Sequence, residues 1–369
     1  MVEFLRREWA LVASFITAAL FAFLGESWLE DLSRSAWLAF LTAWLFAVMV
    51  ISAFAVVRHA EVLAAKLGEP YGTLILTLAV TGIEVMLIAA VMYTGKGNVT
   101  LARDAMFAVV MIVLNGMVGL SLLLGGLRYH EQAYNLQGAN AFLAVILPLA
   151  VLGLVVPSFT LSTPGPTLSP LQAGYLIFMS IVLYGVFLAM QTLSHRDYFV
   201  APDEAESEAA GKTRPKRGSR SVAWHTTMLL VYLLPLLVLS KQIAVPINHA
   251  VHTLHAPTAL SGLLVSVLVL SPESLSAARA ALANQLQRSV NILLGSVLAS
   301  ISLTIPAVLA IGFIGDKRVV LGLDPLDTVI LLLTLVLSTL TFTSTRTNVL
   351  LGAVHLLLFL AYLVLIFEH

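Results

Sequence analysis

Leu76 to Ala90 reads LTLAVTGIEVMLIAA, an apolar run interrupted by one charge, Glu84, at its centre. Its flanks extend it over 72–93, and about 20 such residues in helical form cross the hydrocarbon of a bilayer. Only helix is available to it, because a lone segment in lipid must satisfy its own backbone groups and this run lacks the alternation of a barrel strand. Similar runs lie on both sides, at 9–25, 36–57, 104–127, 139–157 and 172–194, and then at 222–241, 257–280, 290–314, 325–341 and 348–366. They predict an all-α, polytopic membrane protein of about eleven transmembrane helices. Composition agrees. Of 369 residues, 59% are hydrophobic and 11% charged, and the mean hydropathy is +0.96, outside the range of water-soluble domains.

Between the sixth and seventh runs lies the one extended polar segment, 195–221. It is acidic first (Asp203, Glu204, Glu206, Glu208) and basic afterwards (Lys212, Arg214, Lys216, Arg217, Arg220). The chain therefore divides into an N-terminal helix and loop (1–35), a first five-helix repeat (36–194), the charged linker (195–221) and a second five-helix repeat (222–369). Five is odd, so two such repeats enter the membrane in opposite directions and form an inverted pair, an arrangement that places transport sites at the midplane. Arg103–Asn115 (RDAMFAVVMIVLN) lies over Arg288–Ser300 (RSVNILLGSVLAS) as a faint trace of this duplication. With the N-terminus in the cytoplasm, only Arg34, Lys96, Arg103, Lys241, Lys317 and Arg318 fall outside, which satisfies the positive-inside rule and makes the linker cytoplasmic. The first run is read as a retained span and not as a cleaved leader.

Charge and cysteine usage exclude several function classes. The 20 Lys and Arg balance 20 Asp and Glu, so no basic surface points to a nucleic-acid partner. With no Cys, disulfides, thiolate metal sites and cysteine nucleophiles are ruled out. HExxH, GxSxG, P-loop and GxGxxG signatures are missing, so nothing marks the chain as an enzyme or as the holder of a cofactor.

Two acids inside spans carry the functional reading. Glu84 lies mid-span in the third run, and Glu273 lies in LLVSVLVLSPESLSAA, Leu263–Ala278, in the eighth. A carboxylate at the bilayer centre costs about 3 kcal/mol on insertion scales, so such residues mark ion or proton paths. Pro272 has no N–H and deprives the Leu268 carbonyl of its helical partner, and Gly82 relaxes the helix beside Glu84; both suggest an opened backbone. Thr81 and Asn115 in the first half, and Ser271, Ser296 and Ser300 in the second, add hydroxyl and amide groups. The whole set offers oxygen ligands, suited to hard cations such as Ca2+, although each small polar residue could equally serve helix packing. His249, His252 and His255 (NHAVHTLH) recur every third residue ahead of the eighth run and suggest an external entrance or a pH sensor. Two other readings stand beside transport by exchange: a cation channel built on the same acids, and an intramembrane metal-dependent hydrolase centred on the three histidines.

GEPYGTLILTLAVTGIEV (Gly68–Val85), HTLHAPTALSGLLVSVLVLSPES (His252–Ser274) and QRSVNILLGSVLASISLTIP (Gln287–Pro306) resemble the ChaA-type bacterial calcium/proton antiporters of the cation/calcium exchanger superfamily. The resemblance runs from about Ala36 to the C-terminus. It implies a multi-pass protein of the bacterial inner membrane that exchanges Ca2+, or Na+ or K+, for protons, with the transported ions and the lipid bilayer as its partners. It also implies one site glutamate per repeat, here Glu84 and Glu273, with Asn115 matching the amide that closes the first repeat's GSILSN-like stretch and Ser296 matching the second repeat's GS. VTGIE and LSPE stand where vacuolar calcium exchangers carry a GNATE-like motif, so the amide beside each acid is lost.

Overall fold

The computed structural model describes residues 8–67, 71–93, 99–200, 221–253 and 256–368. Helices dominate throughout: α1 (Trp9–Glu30), α2 (Ser35–Leu67), α3 (Tyr71–Tyr93), α4 (Leu101–Tyr129), α5 (Leu136–Ser158) and α6 (Pro170–Ser194) precede the linker. After it come α7 (Val222–His252), α8 (Thr258–Leu282), α9 (Leu286–Ile314), α10 (Pro325–Thr341) and α11 (Val349–Glu368). Each coincides with one apolar run of the sequence, so among the described residues the fold is polytopic with eleven long helices. Among the described residues the only strands are β1 (Gln132–Ala133) and β2 (Arg346–Thr347), paired antiparallel.

Helix ends follow from local chemistry. Asn135 caps α5 by accepting from the Gln137 N–H, Ser169 and Gln172 form a reciprocal capping box at α6 with Pro170 as its first residue, and Ser221 caps α7. Left-handed residues close several turns: His130 just beyond α4, Asn284 between α8 and α9, and Asp316 just beyond α9, all types that tolerate positive φ. Two helices outrun their apolar stretches. α2 continues through Arg58, His59 and Lys66, and α7 through Pro246 to His252. Polar residues at a helix end leave the hydrocarbon without breaking the backbone ladder, so hydropathy underestimates helix length there.

α4 and α9 are each 29 residues long. The overlay of Arg103–Asn115 on Arg288–Ser300, continued in both directions, brings Leu101 onto Leu286 and Tyr129 onto Ile314, the ends of both helices. Each changes winding near its middle, into a π segment at Met111–Met117 in α4 and at Ser300–Thr304 in α9. α3 and α8, which carry the acids, are by contrast helical throughout. The loosening expected beside Glu84 and Pro272 thus does not appear as a break; the irregular turns lie one helix later in each half. In α8, the Ser271 hydroxyl donates to the Val267 carbonyl one turn back, next to the carbonyl that Pro272 leaves without a helical donor.

The chain forms two compact units, each drawn from both halves. The first holds Met1–Leu101 and Lys216–Pro272, the second Ala102–Pro215 and Glu273–His369. In the first, α1, α2, α3 and α7 pack on one another. Phe21, Trp28, Trp37, Phe40 and Trp44 cluster around the α1–α2 connection, with Trp37 Nε1 donating to the Trp28 carbonyl at 2.9 Å, as an aromatic belt does at a membrane interface. At the opposite end of α1, the buried Glu8 carboxylate takes hydrogen bonds from Arg58 and from Tyr232 Oη at 3.0 Å. His59 bridges Glu8 and His225, with Nδ1 to Nδ1 at 2.9 Å. In the second unit α4 and α9 are the most deeply buried helices. There α11 lies against α4 at glycines: a Cβ on Gly352 would stand 2.5 Å from Leu123 N, and one on Gly119 would stand 2.9 Å from His355 Cβ.

Candidate functional site

Glu84 sits in the middle of α3 and is 1% exposed, with Ile83, Leu87 and Ile88 buried beside it. Thr81, one turn earlier and also buried, presents its hydroxyl on the same side of the helix. A Cβ on Gly82 would meet nothing within 4 Å, so this position borders open space and glycine is not required there by packing. A buried acid and a hydroxyl on one helix face suit an ion that sheds its water, whereas the open space at Gly82 lies on the other side of the helix.

Within the second unit the structure joins Glu273 to the next helix. The half-buried Glu273 lies on α8, and Ser296 of α9 donates its hydroxyl to Glu273 Oε2. Ser300, one turn beyond Ser296, opens the π segment of α9 and is buried. Leu268, whose carbonyl Pro272 frees, is a buried α8 residue in the first unit, as is Thr81 on α3.

Asn115 occupies the π segment of α4 and is fully buried. Its Nδ2 donates to Thr334 Oγ1 of α10 at 2.8 Å, and its Oδ1 lies 3.2 Å from His355 Nδ1 of α11. His355 Nε2 in turn lies 2.9 Å from Thr341 Oγ1, and Thr334 Oγ1 donates to the Ile330 carbonyl at 2.8 Å. The side chains of Asn115, Thr334, Thr341 and His355 form one buried polar chain across three helices. The sequence reading found Asn115 and missed its partners. One signal was present: His355 is an ionisable residue in the otherwise uncharged run VHLLLFL, of the kind that marks a function inside a membrane.

The histidine triplet falls largely outside the described residues. His249 lies near the end of α7, whereas the side chain of His252 and the whole of His255 are not described. Among the described residues, no group of three or more His, Asp or Glu side chains is placed to hold a metal ion. A second ionisable cluster, Glu8 with Arg58, His59, His225 and Tyr232, escaped the sequence reading. Burial alone would raise the Glu8 carboxyl, but Arg58, the Tyr232 hydroxyl and His59 together hold it below the ordinary carboxylate range.

Comparison with known proteins bears on the family and the fold. The chain matches the sodium/calcium exchanger protein family in two stretches, residues 37–193 and 224–368, one on each side of the charged linker. It is 43% identical over 316 residues to the sodium-potassium/proton antiporter ChaA of Escherichia coli (strain K12), covering 86% of each chain. It is 26% identical over 301 residues, 79% of each, to a Ca(2+)/H(+) antiporter of Aphanothece halophytica. The structure of native YfkE superposes with a TM-score of 0.73 at 16% identity, over 98% of this chain and 100% of that one, a likeness of fold.

Proposed function

The chain belongs to the sodium/calcium exchanger protein family, and from that premise we propose that it is a multi-pass cation/proton antiporter of the bacterial inner membrane, with its N-terminus in the cytoplasm. Its substrates are metal cations: Na+ and K+, named for the 43% identical relative, and Ca2+, named for the more distant one. One observation carries the mechanism. Each of the two family-matching stretches contains one glutamate inside a span, Glu84 buried in α3 and Glu273 bonded to Ser296 in α8.

In this reading Glu84 and Glu273 bind either cation or protons and never both, so that occupancy by one requires release of the other. Thr81, Asn115, Ser271, Ser296, Ser300 and the Leu268 carbonyl support the cation with neutral oxygens, which replace part of its hydration shell. Rocking of one group of helices then exposes the loaded site to the opposite face, and a proton gradient directed inward drives the cation outward.

Full-length protein in liposomes with an imposed proton gradient tests this reading. Addition of Na+, K+ or Ca2+ should dissipate the gradient in the wild type. Glu84→Gln and Glu273→Gln should each abolish the response while the protein remains folded, because an amide keeps the volume but neither releases a proton nor neutralises a cation. Substantial proton-coupled flux in both variants would sink the mechanism, and cation flux without a proton gradient in the wild type would replace it with a channel.

A further inference from the structure

The buried chain through Asn115 runs in one direction when the Thr334 hydroxyl donates within its own helix. Thr334 Oγ1 has a single hydrogen, directed to the Ile330 carbonyl at 2.8 Å, with Met111 Sδ as its other acceptor at 3.4 Å. With that hydrogen on the Ile330 carbonyl, Thr334 Oγ1 accepts from Asn115 Nδ2, and Asn115 Oδ1 faces His355. A carboxamide oxygen cannot donate, so the hydrogen between them belongs to His355 Nδ1. His355 Nε2 is then bare in the neutral ring and accepts from Thr341 Oγ1 at 2.9 Å. Every donor has an acceptor, and the ring needs no second proton.

The backbone around His355 is equally constrained. A Cβ on Gly119 would stand 2.9 Å from both His355 Cβ and Leu356 N, and one on Gly116 would stand 3.3 Å from Phe359 Cγ. α11 thus lies on the π segment of α4 and the turn after it with little freedom to shift, and His355 is a polar contact within this close seam.

We propose that His355 is a positioning residue for exchange: as a neutral, Nδ1-protonated imidazole it fixes which end of the Asn115 amide is oxygen. This inference rests on the reading that Asn115 supports the cation. An amide free to turn would present its NH2 group where a cation needs oxygen, so loss of the histidine weakens cation binding more than it slows turnover. The role is that of the outer-shell groups that orient metal ligands in other proteins.

The test uses substitutions that separate the two ring nitrogens. His355→Asn places an amide nitrogen near the site of Nδ1 and keeps the donor to Asn115, whereas His355→Gln reaches the site of Nε2 and loses it. For Na+, K+ and Ca2+ exchange in liposomes, His355→Gln should raise KM by about tenfold or more, with a smaller fall in maximal rate, and His355→Asn should restore KM most of the way. Equal KM values for the two variants, or a loss confined to maximal rate in both, overturns the proposal. A readout without substitution is the 15N spectrum of His355 in the wild-type protein: the neutral Nδ1–H tautomer is expected, and an Nε2–H tautomer or an imidazolium at neutral pH overturns it. Glu84→Gln and Glu273→Gln separate the two levels. Exchange that survives both discards the cation-site reading, with the tautomer still judging the hydrogen-bond chain. Exchange lost in both, with equal KM in the His355 pair, discards the role of His355 alone.

Discussion

Single residues were legible in the sequence where their cost is local. Glu84 and Glu273 stand out because an acid in an apolar run carries its desolvation penalty wherever the chain folds. The partners of Asn115 do not stand out, since Thr334 and His355 are 219 and 240 residues away and nothing in a window around Asn115 announces them. Ser296 lies between these cases: its place in GSVLAS was readable, while its bond to Glu273, 23 residues away, required the turn between α8 and α9. A hydrogen bond to a charged group contributes about 1.5–3 kcal/mol, and here it also aims the carboxylate. Ser296→Ala should accordingly raise KM for the transported cation about tenfold while exchange persists, and Ser296→Thr, which keeps the hydroxyl, should restore it. Transport assays across a range of cation concentrations decide the matter; an unchanged KM in the alanine variant would reduce Ser296 to a packing residue.

At the scale of helices, the apolar runs located each of the eleven described helices, because length and hydropathy are the quantities a bilayer selects. The π segments at Met111–Met117 and Ser300–Thr304 were beyond reach, since one extra residue in a turn hardly alters an all-apolar pattern. The docking of α1 was hidden as well, because Glu8 finds Arg58, His59 and Tyr232 across 50, 51 and 224 residues. Breaking a buried ion pair leaves a desolvated charge behind, although the Arg58 side chain is 46% exposed and recovers water. Glu8→Gln should on that balance cost about 2 kcal/mol. The sign of its pH dependence follows from the lowered carboxyl of Glu8. A group whose folded pKa lies below its unfolded value contributes its full stability above the ordinary value of 4.5 and loses it as pH falls further, through the folded pKa. Thermal unfolding of the detergent-solubilised protein should therefore show wild type losing stability more steeply than Glu8→Gln below about pH 4.5; parallel curves would mean that Glu8 is not ionised in the folded state.

For the whole molecule, the parity of the helix count and the distribution of Lys and Arg predicted an inverted duplication with its linker in the cytoplasm. The division into two units that each draw on both halves was not predictable, because it depends on contacts between helices far apart in the chain. One packing fact inside the first unit bears on topology. Alternating spans send the start of α1, the late part of α2 and the start of α7 to the same membrane face, and Glu8, Arg58 with His59, and His225 do meet in one cluster. α7 begins at Val222, capped by Ser221 only four residues before His225, so α7 starts on the face where α1 begins. The positive-inside rule assigns that face to the cytoplasm. Ser207, in the acidic part of the linker and outside the described residues, gives a direct test because the chain has no cysteine of its own. A Ser207→Cys thiol should be untouched by a membrane-impermeant reagent added to intact cells and should react when everted vesicles receive the same reagent. Labelling from outside would turn the whole molecule over and place the Glu8 cluster on the external face.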